Sequence, residues 1–342
     1  MSFQRIRLIP SPEEVLEMIP LSDELKQIKQ DRDAEIRAIF ERKSDKFLVI
    51  IGPCSAHNAD AVCEYVNRLA RLQDVVKDRL VLMPRIYTNK PRTTGEGYKG
   101  MGHQPDPNKE PNIVEGLQAL RKMHIRAFRE SHLTAADEML YPTNFPYLED
   151  VLGYVAVGAR SVENQQHRLT ISGVDVPAGM KNPTGGDLSV MLNAIYAAQM
   201  PHVFTYNGWE VATSGNALAH AVLRGMVDLS GRSVPNYHYE DLVRAAETFQ
   251  ERKLVNPMIV VDTNHNNSNK TFHAQPRIGM EVMRSRKNSD LLRGIIRGLM
   301  VESYLVEGSQ GVDGGVFGQS ITDPCLGWED SEVLVKELAE VV

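Results

Sequence analysis

The 342-residue chain has few cysteines and no long apolar run. Its three cysteines, Cys54, Cys63 and Cys325, form an odd and sparse set, which argues against a disulfide framework and favours a reduced, cytoplasmic protein. The longest uncharged apolar runs are as short as residues 47–51, whereas a membrane-spanning helix needs about 18 residues. The first residues, MSFQRIRLIPSPEE, contain no apolar core, so we expect no signal peptide.

The chain also has no excess of positive charge. It contains 38 Lys and Arg against 44 Asp and Glu, a formal net charge of −6. This balance is not the basic footprint of a nucleic-acid-binding protein, so we expect neither nucleic acid nor a membrane as a partner. A local cluster of cations in such a chain requires its own explanation.

The sequence does contain a regular alternation of short β-branched runs and longer amphipathic stretches. Eight runs are predicted strands, at residues 47–54, 80–87, 125–131, 154–161, 176–182, 202–207, 257–265 and 298–305. Helices are predicted between them, including residues 58–72, 187–200, 240–253 and 329–341. Eight strand–helix units predict an α/β fold of the (β/α)8 TIM-barrel type. Residues 125–131 also fit the end of a helix, and a doubly wound open sheet is the alternative fold.

The barrel is expected to occupy residues 47–342, preceded by an N-terminal extension at residues 1–46. The extension carries a helical stretch at residues 23–42, which we expect either to cover the bottom of the barrel or to contact another subunit. Residues 88–111 form a long loop rich in glycine, proline and charge. Loops of that length in compact folds are usually functional or disordered.

Active sites of TIM barrels lie at the carboxyl ends of the strands, and two groups of reactive residues fall there. The first group combines a thiol, an imidazole and two carboxylates: Cys54, His265, Glu302 and Asp323. This mixture of soft and hard ligands suits a divalent transition ion better than magnesium or calcium. Because the four residues are scattered along the chain, the pattern also allows a buried structural cysteine, a capping aspartate and an ordinary histidine.

The second group is cationic. Seven positive residues fall at or beyond the predicted strand ends, with the last near a helix end: Arg85, Lys90, Arg92, Lys99, Arg160, Lys181 and Arg224. Phosphate groups are bound by arginine forks and lysine point charges. Any one of these residues fits a solvated surface position, but seven on one rim of an acidic protein indicate a site for anions.

These residues lie in segments that resemble the type I 3-deoxy-D-arabino-heptulosonate 7-phosphate (DAHP) synthases. The resemblance runs from the first strand to the last helix through VIIGPCSAHN, NKPRTT, GYKG, VAVGARSVENQQHR, GMKNPTGG, TSGN, VLRG, DTNHNNS, MVESYLVEG and SITDPCLGWED. It implies a TIM-barrel transferase of aromatic amino acid biosynthesis that condenses phosphoenolpyruvate with erythrose 4-phosphate. It also implies a homodimer or homotetramer.

The resemblance assigns roles to individual positions. Cys54, His265, Glu302 and Asp323 match the ligands of a divalent metal, which is Mn, Fe, Co or Zn. The positions that match phosphoenolpyruvate contacts are Arg85, Lys99, Arg160, Lys181 and Arg224, and those that match erythrose 4-phosphate contacts are Lys90, Arg92 and Thr93. Lys181 is a candidate to move a proton during the reaction. Glu138 aligns with a glutamate near the reacting carbons, in a stretch that matches less closely.

Two alternatives and one departure accompany this interpretation. A 3-deoxy-octulosonate 8-phosphate synthase would carry KANR where this chain has Lys90-Pro91-Arg92, and a non-catalytic regulatory barrel would have lost a metal or phosphate residue. The segment at residues 204–212 is shorter than the resemblance leads us to expect in feedback-inhibited members. We therefore predict weak or altered inhibition by aromatic amino acids.

Overall fold

The computed structural model describes residues 2–92 and 94–342. In chain order the strands are β1 Phe47–Gly52, β2 Leu80–Pro84, β3 Ala135–Glu138, β4 Leu152–Val157, β5 Ala178–Lys181, β6 Val203–Tyr206, β7 Trp209–Ala212, β8 Ala219–Leu223, β9 Met226–Val227, β10 Ser233–Val234, β11 Ile259–Asp262, β12 Ile296–Glu302, β13 Val306–Ser309 and β14 Gln319–Ser320. The α-helices are α1 Pro12–Met18, α2 Asp23–Phe40, α3 Ala59–Val76, α4 Ile113–Ser131, α5 Gln165–Ile171, α6 Leu188–Gln199, α7 Tyr239–Glu251, α8 Gln275–Lys287, α9 Asp290–Ile295 and α10 Trp328–Val341. Two 3₁₀ helices occupy Pro142–Tyr147 and Phe272–Ala274.

Eight of the strands form one parallel sheet, in the order β2-β1-β12-β11-β8-β5-β4-β3. The two ends of this order meet at a single bridge between Arg85 and Ala136, where the amide of Ile86 donates to the Ala136 carbonyl over 2.9 Å. The sheet therefore curves into a nearly closed barrel surrounded by helices. The prediction of a TIM barrel is confirmed.

The barrel is packed on both faces, as its near-continuous apolar strands predict. One set of strand residues, such as Leu48, Ile50 and Met300, fills the interior, and the alternate residues pack against the surrounding helices. Ile36, Ile39 and Phe40 of α2 belong to the interior cluster. Helix α2 thus covers one end of the barrel, which is one of the two roles expected for residues 1–46.

The prediction of a third strand at residues 125–131 is wrong. These residues end helix α4, whose buried side chains recur at the helical spacing of Leu117, Leu120, His124 and Phe128. The helix stops at His132, which has a left-handed φ of 57° and donates its amide to the Phe128 carbonyl. The third barrel strand is the four-residue β3, whose sequence AADE has little β propensity and so gives no strand signal.

The sixth predicted strand, residues 202–207, is a strand of a different sheet. It contains β6, which pairs antiparallel with β7 through the turn residues Asn207 and Gly208. Both turn residues have positive φ, 47° and 83°, as a two-residue hairpin turn requires. The sixth barrel strand is β8, Ala219–Leu223, in which Val222 is the one β-branched residue. Asn-Gly between two apolar runs is a hairpin signal, and the prediction of a barrel strand at residues 202–207 did not take it into account.

The predicted helices around the barrel are present, with small shifts at their ends. Asn58 caps α3 by accepting the Ala61 amide, and Asp187 caps α6 by accepting the amides of Ser189 and Val190. The remaining strand expectations coincide with β1, β2, β4, β5, β11 and β12. Among the described residues, no helix combines the length and apolarity needed to cross a membrane.

Candidate active site

The carboxyl ends of the barrel strands surround a cleft of about 400 Å³. Most of the residues predicted for the site line this cleft: Arg85, Lys90, Arg92, Glu138, Arg160, Lys181, Arg224, His265 and Asp323. Cys54 and Glu302 are buried directly against this lining, in contact with Lys90 and Arg85 respectively. Thr93 lies outside the described residues. Apart from Lys99, the predicted metal ligands and the predicted cations therefore lie in or next to this one cleft.

The thiol and one carboxylate of the predicted metal set lie together at one wall. Cys54 Sγ is 3.5 Å from Asp323 Oδ2, although the two residues are 269 positions apart in the chain. The Lys90 ammonium donates to both groups, over 2.6 Å to the sulfur and 3.1 Å to the oxygen. Lys270 donates to the other Asp323 oxygen over 3.0 Å.

The imidazole and the second carboxylate lie next to them. His265 Nε2 is 3.9 Å from Glu302 Oε1, and His265 Nδ1 is 2.9 Å from Asp262 Oδ2. His265 has a left-handed φ of 49°, which is uncommon for a residue with a side chain. The second Glu302 oxygen accepts a hydrogen bond from Asn264 Nδ2 over 2.6 Å. One ring nitrogen of His265 thus lies beside the Asp262 carboxylate without a hydrogen bond of good geometry, and the other faces the Glu302 carboxylate.

Burial and neighbouring charges oppose one another in this cluster. Burial raises the pKa of the Cys54 thiol, and the Glu302 carboxylate adds to that rise. Burial alone would also raise the pKa of Glu302, but Arg85 and His265 lower it below its usual value. The pKa of Asp323 is likewise held low, because Lys90 and Lys270 outweigh its burial. Both carboxylates are therefore present as anions at neutral pH.

These groups fit a divalent transition ion in donor chemistry. A thiol, an imidazole nitrogen and two anionic carboxylates from four segments lie beside the cleft as two pairs, Cys54 with Asp323 and His265 with Glu302. No three of these four residues have ligand atoms that all lie within 4.8 Å of one another. A second cluster, His273, Glu307 and Asp330, has ligand atoms within 4.8 Å of one another. All three of its side chains are exposed, and none lines the cleft.

Three cations at the cleft floor are deeply buried: Arg85, Lys181 and Arg224. Arg85 donates to the Glu302 carboxylate over 2.9 Å and to the carbonyl of Pro53. Lys181 lies 3.5 Å from Asp262 Oδ2. Arg224, which follows β8 and is not near a helix end, has a buried Nη1 without a hydrogen-bond partner. A buried, unpaired guanidinium nitrogen at the wall of a cleft is suited to an anionic ligand.

The remaining predicted cations lie nearer to solvent. Arg160 is exposed at the rim, and Arg92 is held by a 2.8 Å hydrogen bond from its Nε to the carbonyl of Tyr98. Lys99 does not line the cleft. Its backbone carbonyl accepts the Lys90 amide over 2.9 Å, and its charge joins burial in lowering the pKa of His103.

Glu138 ends β3 and lines the cleft while remaining 9% exposed. Its carboxylate packs against the backbone of Gly158, where a Cβ atom would lie 2.3 Å from Glu138 Oε1. Any other residue at position 158 would have to displace this carboxylate. The glycine of the VAVGARS segment therefore makes room for Glu138.

Two residues in or next to the cleft had no predicted role. Asp262 lies 2.9 Å from His265 and 3.5 Å from Lys181, and its position in the predicted strand 257–265, three residues before His265, was the available signal. Lys270 lines the cleft and donates to Asp323. The asparagines and serine that precede it do not predict this ion pair.

Comparison with known proteins gives one consistent result. A family model described as the DAHP synthetase I family matches residues 25–336. The phospho-2-dehydro-3-deoxyheptonate aldolase of Haemophilus influenzae is 37% identical over 99% of this chain and 93% of its own length. The Phe-sensitive enzyme of that name from Escherichia coli K12 is 36% identical over 99% of this chain and 96% of its own length. The solved structure of the Francisella tularensis protein of that name superposes with a TM-score of 0.92, at 30% identity over 100% of this chain and 98% of its own.

Proposed function

The chain belongs to the DAHP synthetase I family, and we propose that the cleft described above is where it carries out the reaction of that family. The enzyme is a transferase that condenses phosphoenolpyruvate, erythrose 4-phosphate and water to 3-deoxy-D-arabino-heptulosonate 7-phosphate and phosphate. This is the first step of the shikimate pathway, which leads to chorismate and the aromatic amino acids. None of the comparisons favours the octulosonate synthase or a non-catalytic barrel.

The cleft is assigned as the active site because side chains of the types that bind metal ions lie there together with several lysines and arginines. Cys54, His265, Glu302 and Asp323 occupy one wall, and the floor and rim carry Arg85, Lys90, Arg92, Arg160, Lys181 and Arg224. Two phosphorylated substrates repel each other in water. Fixed cations around a cleft offset that repulsion and hold the substrates in a reactive geometry.

Two buried cations and one at the rim suit phosphoenolpyruvate. Arg224 offers its unpartnered Nη1, Arg160 supplies a second guanidinium at the rim, and Lys181 lies between the two along the sheet order. Arg85 also lines the cleft, where it is ion-paired with Glu302. Lys99 remains a prediction from the resemblance alone, because it does not line the cleft.

The loop after β2 suits erythrose 4-phosphate. Lys90 and Arg92 both line the cleft, Lys90 in contact with Cys54 and Asp323, and Thr93 is assigned to the same substrate from the resemblance. A phosphate bound by this loop places the aldehyde end of the sugar toward the metal-type donors. The two substrates then approach each other above Lys181 and Glu138.

The family depends on a metal ion, and this chain's donors are the residues that would hold it. A divalent ion of the Mn, Fe, Co or Zn type supplies a Lewis acid for the aldehyde oxygen. The chain's own groups orient the partners of the bond that forms between C3 of phosphoenolpyruvate and C1 of the aldose. Water adds at C2, and the C2–O bond to phosphate breaks. Lys181 and Glu138 face this point and are the groups placed to give and take protons.

We also propose that the enzyme is a cytoplasmic homodimer or homotetramer. The three cysteines are free in the structure, which suits a reducing compartment. The N-terminal extension exposes Phe3, Ile6 and Leu8 by 93%, 83% and 94%. Apolar side chains so exposed on one short segment are suited to contact with another subunit.

The assay that tests the function is phosphate release from phosphoenolpyruvate. We expect release when erythrose 4-phosphate is also present and none when either substrate is omitted. Arabinose 5-phosphate serves as the competing aldose. Equal or faster release with arabinose 5-phosphate would assign the chain to the octulosonate reaction instead.

A further inference from the structure

The seam where the barrel closes lies at the edge of the cleft. Strands β2 and β3 are the two ends of the sheet order, and their backbones meet at the Arg85–Ala136 bridge and the bond from Ile86 to Ala136. Beyond these contacts the two strands lead into cleft residues. Strand β2 runs into the loop of Lys90 and Arg92, and β3 ends at Glu138. The contacts between β2 and β3 at this seam therefore affect the positions of the loop that carries Lys90 and Arg92 and of Glu138.

A buried carboxylate continues the seam where the backbone ladder stops. Asp137 Oδ1 accepts the backbone amide of Thr88 over 2.9 Å and that of Glu138 over 2.7 Å. Asp137 Oδ2 accepts the hydroxyl of Thr88, and His124 Nε2 of helix α4 lies 3.3 Å from the same oxygen. Asp137 is 3% exposed, Thr88 is 0% exposed and His124 is 1% exposed. One carboxylate therefore joins strand β3, helix α4 and the start of the loop after β2.

Thr88 is in turn the base of that loop. Its carbonyl accepts the amide of Gly102 over 3.1 Å, which draws the two ends of the loop together. A Cβ atom at Gly100 would lie 2.4 Å from the same carbonyl, so the returning chain passes very close to it. Within the loop, the Lys90 amide donates to the Lys99 carbonyl. The Asp137–Thr88 contact thus lies two residues from Lys90 and four from Arg92.

We propose that Asp137, through Thr88, is a positioning residue for the substrate loop, meaning residues 88–102. It acts on Lys90 and Arg92 by fixing the base of the loop and on Glu138 by holding its amide. One side chain that accepts three hydrogen bonds, from the amide and hydroxyl of Thr88 and from the amide of Glu138, fixes the base of the loop relative to β3. The proposal rests on the proposed function only in assigning this loop to erythrose 4-phosphate.

The isosteric pair Thr88→Val and Thr88→Ser tests the contact with the least disturbance. Valine keeps the volume and β-branching of threonine and removes the hydroxyl, whereas serine keeps the hydroxyl. Thr134→Val is the matched control, because Thr134 is equally buried and its hydroxyl has no hydrogen-bond partner. Asp137→Ala and Asp137→Asn form the second pair. Asparagine can still accept the two backbone amides, but alanine leaves them buried and unpaired.

Two measurements separate positioning from a general loss of structure. The first is cleavage by trypsin after Arg92 and Lys99, in the absence of substrates; Lys90 is followed by proline and is resistant. The second is steady-state kinetics with each substrate varied in turn. We expect Thr88→Val and Asp137→Ala to speed this cleavage. We also expect kcat/KM for erythrose 4-phosphate to fall about 10- to 100-fold, with the KM for phosphoenolpyruvate within about twofold of its starting value.

Thr88→Ser, Asp137→Asn and the Thr134→Val control should stay close to the unchanged protein in both measurements. Unchanged cleavage, or an equal rise of both KM values, overturns the proposal. Faster cleavage with unchanged kinetics supports the anchoring role and instead overturns the assignment of the loop to erythrose 4-phosphate. If Asp137→Ala does not fold, the Thr88 pair still decides between these outcomes.

Discussion

Arg85 Nη2 donates to Glu302 Oε1 over 2.9 Å, and both side chains are about 2% exposed. Arg85 also donates to the carbonyl of Pro53, and its guanidinium carbon lies 3.7 Å from the centre of the Tyr87 ring. Burial alone would lower the pKa of Arg85, but the Glu302 carboxylate raises it above its ordinary value. The pair therefore stays ionised inside the protein, so removing Arg85 takes away the largest of the positive influences on the buried Glu302 carboxylate.

Arg85→Ala is expected to destabilise the metal-free protein by about 3–5 kcal/mol, because Glu302 would remain buried without the cation that bonds to it. The free energy of unfolding from urea titration is the measurement. Arg293→Ala is the matched control, since its pair with Asp290 lies at the surface with side chains 57% and 94% exposed. That control should change the free energy by less than about 1 kcal/mol. Equal losses in the two variants would contradict a special role for the buried pair.

The metal site is predicted to lie at the cleft and not at the exposed cluster. Chelator treatment should abolish phosphate release, and Mn²⁺, Co²⁺ or Fe²⁺ should restore it. Cys54→Ser and His265→Ala should lose both bound metal and turnover, because each removes a proposed ligand. His273→Ala, in the exposed cluster, should keep both. Elemental analysis alongside the assay is decisive, and full activity in a metal-stripped preparation would falsify the assignment.

The two phosphate-binding regions are predicted to be separable. Arg92→Ala should mainly weaken the use of erythrose 4-phosphate, whereas Arg160→Ala should mainly weaken the use of phosphoenolpyruvate. Loss of one charge-assisted contact should cost about 1.5–3 kcal/mol. In kcat/KM this corresponds to about 10- to 150-fold for the substrate concerned. Initial rates with each substrate varied in turn give the answer. If both variants raise the two KM values equally, the cleft does not have separate pockets.

Much of this site was predictable because strand ends in a parallel barrel all meet at one edge. The apolar runs of β1, β2, β5, β11 and β12 end at or near Cys54, Arg85, Lys181, His265 and Glu302. The end of each run therefore predicts which side chain lies at the carboxyl end of the barrel. The prediction failed where a strand is short or weakly β-forming. Strands β3 and β8 are made of AADE and AHAVL, and their membership in the sheet is set by their neighbours and not by their own residues.

Contacts between the ends of strands that are distant in the chain could not be predicted from the sequence. Arg85 meets Glu302 because β2 and β12 both flank β1 in the sheet. Asp137 meets Thr88 because β2 and β3 close the barrel. Neither pair has a spacing that sequence patterns can detect. Lys90, predicted as a phosphate contact, also binds Cys54 and Asp323, a second role that depends on the path of the loop after β2.

The acid side of the stability curve is predicted to depend on His220. This histidine is buried in the barrel, with Nε2 2.8 Å from the Tyr154 hydroxyl and Nδ1 2.8 Å from the Leu218 carbonyl. Burial lowers its pKa to about 4, against about 6.5 in the unfolded chain. Between pH 6.5 and 4 the unfolded chain therefore binds more protons than the folded protein, and stability falls as the pH falls.

The contribution of one such group is at most about 1.4 kcal/mol per pH unit in that window. His220→Gln keeps a hydrogen-bonding side chain but does not titrate, so its stability should decline less steeply from pH 6.5 to pH 4. Urea unfolding at closely spaced pH values measures the slope. Identical slopes for the two proteins would mean that other groups govern the acid transition.

Inhibition by aromatic amino acids is predicted to be weak or altered in this chain. Its relatives include enzymes named Phe-sensitive and Trp-sensitive. In this chain the segment at residues 204–212 is a hairpin joined by a two-residue turn, the shortest common hairpin connection, and Val203 and Trp209 are 68% and 71% exposed. A pocket for an amino acid needs apolar walls and polar anchors placed together, and a short, exposed hairpin offers few of either.

Calorimetric titration with phenylalanine, tyrosine and tryptophan, each followed by the phosphate-release assay, measures this directly. We expect no binding in the micromolar range and little loss of activity. Micromolar binding of any one of the three, coupled to loss of activity, would show that the short hairpin repacks and still completes a pocket. In that case Trp209→Ala should weaken the binding if the hairpin forms part of the pocket wall.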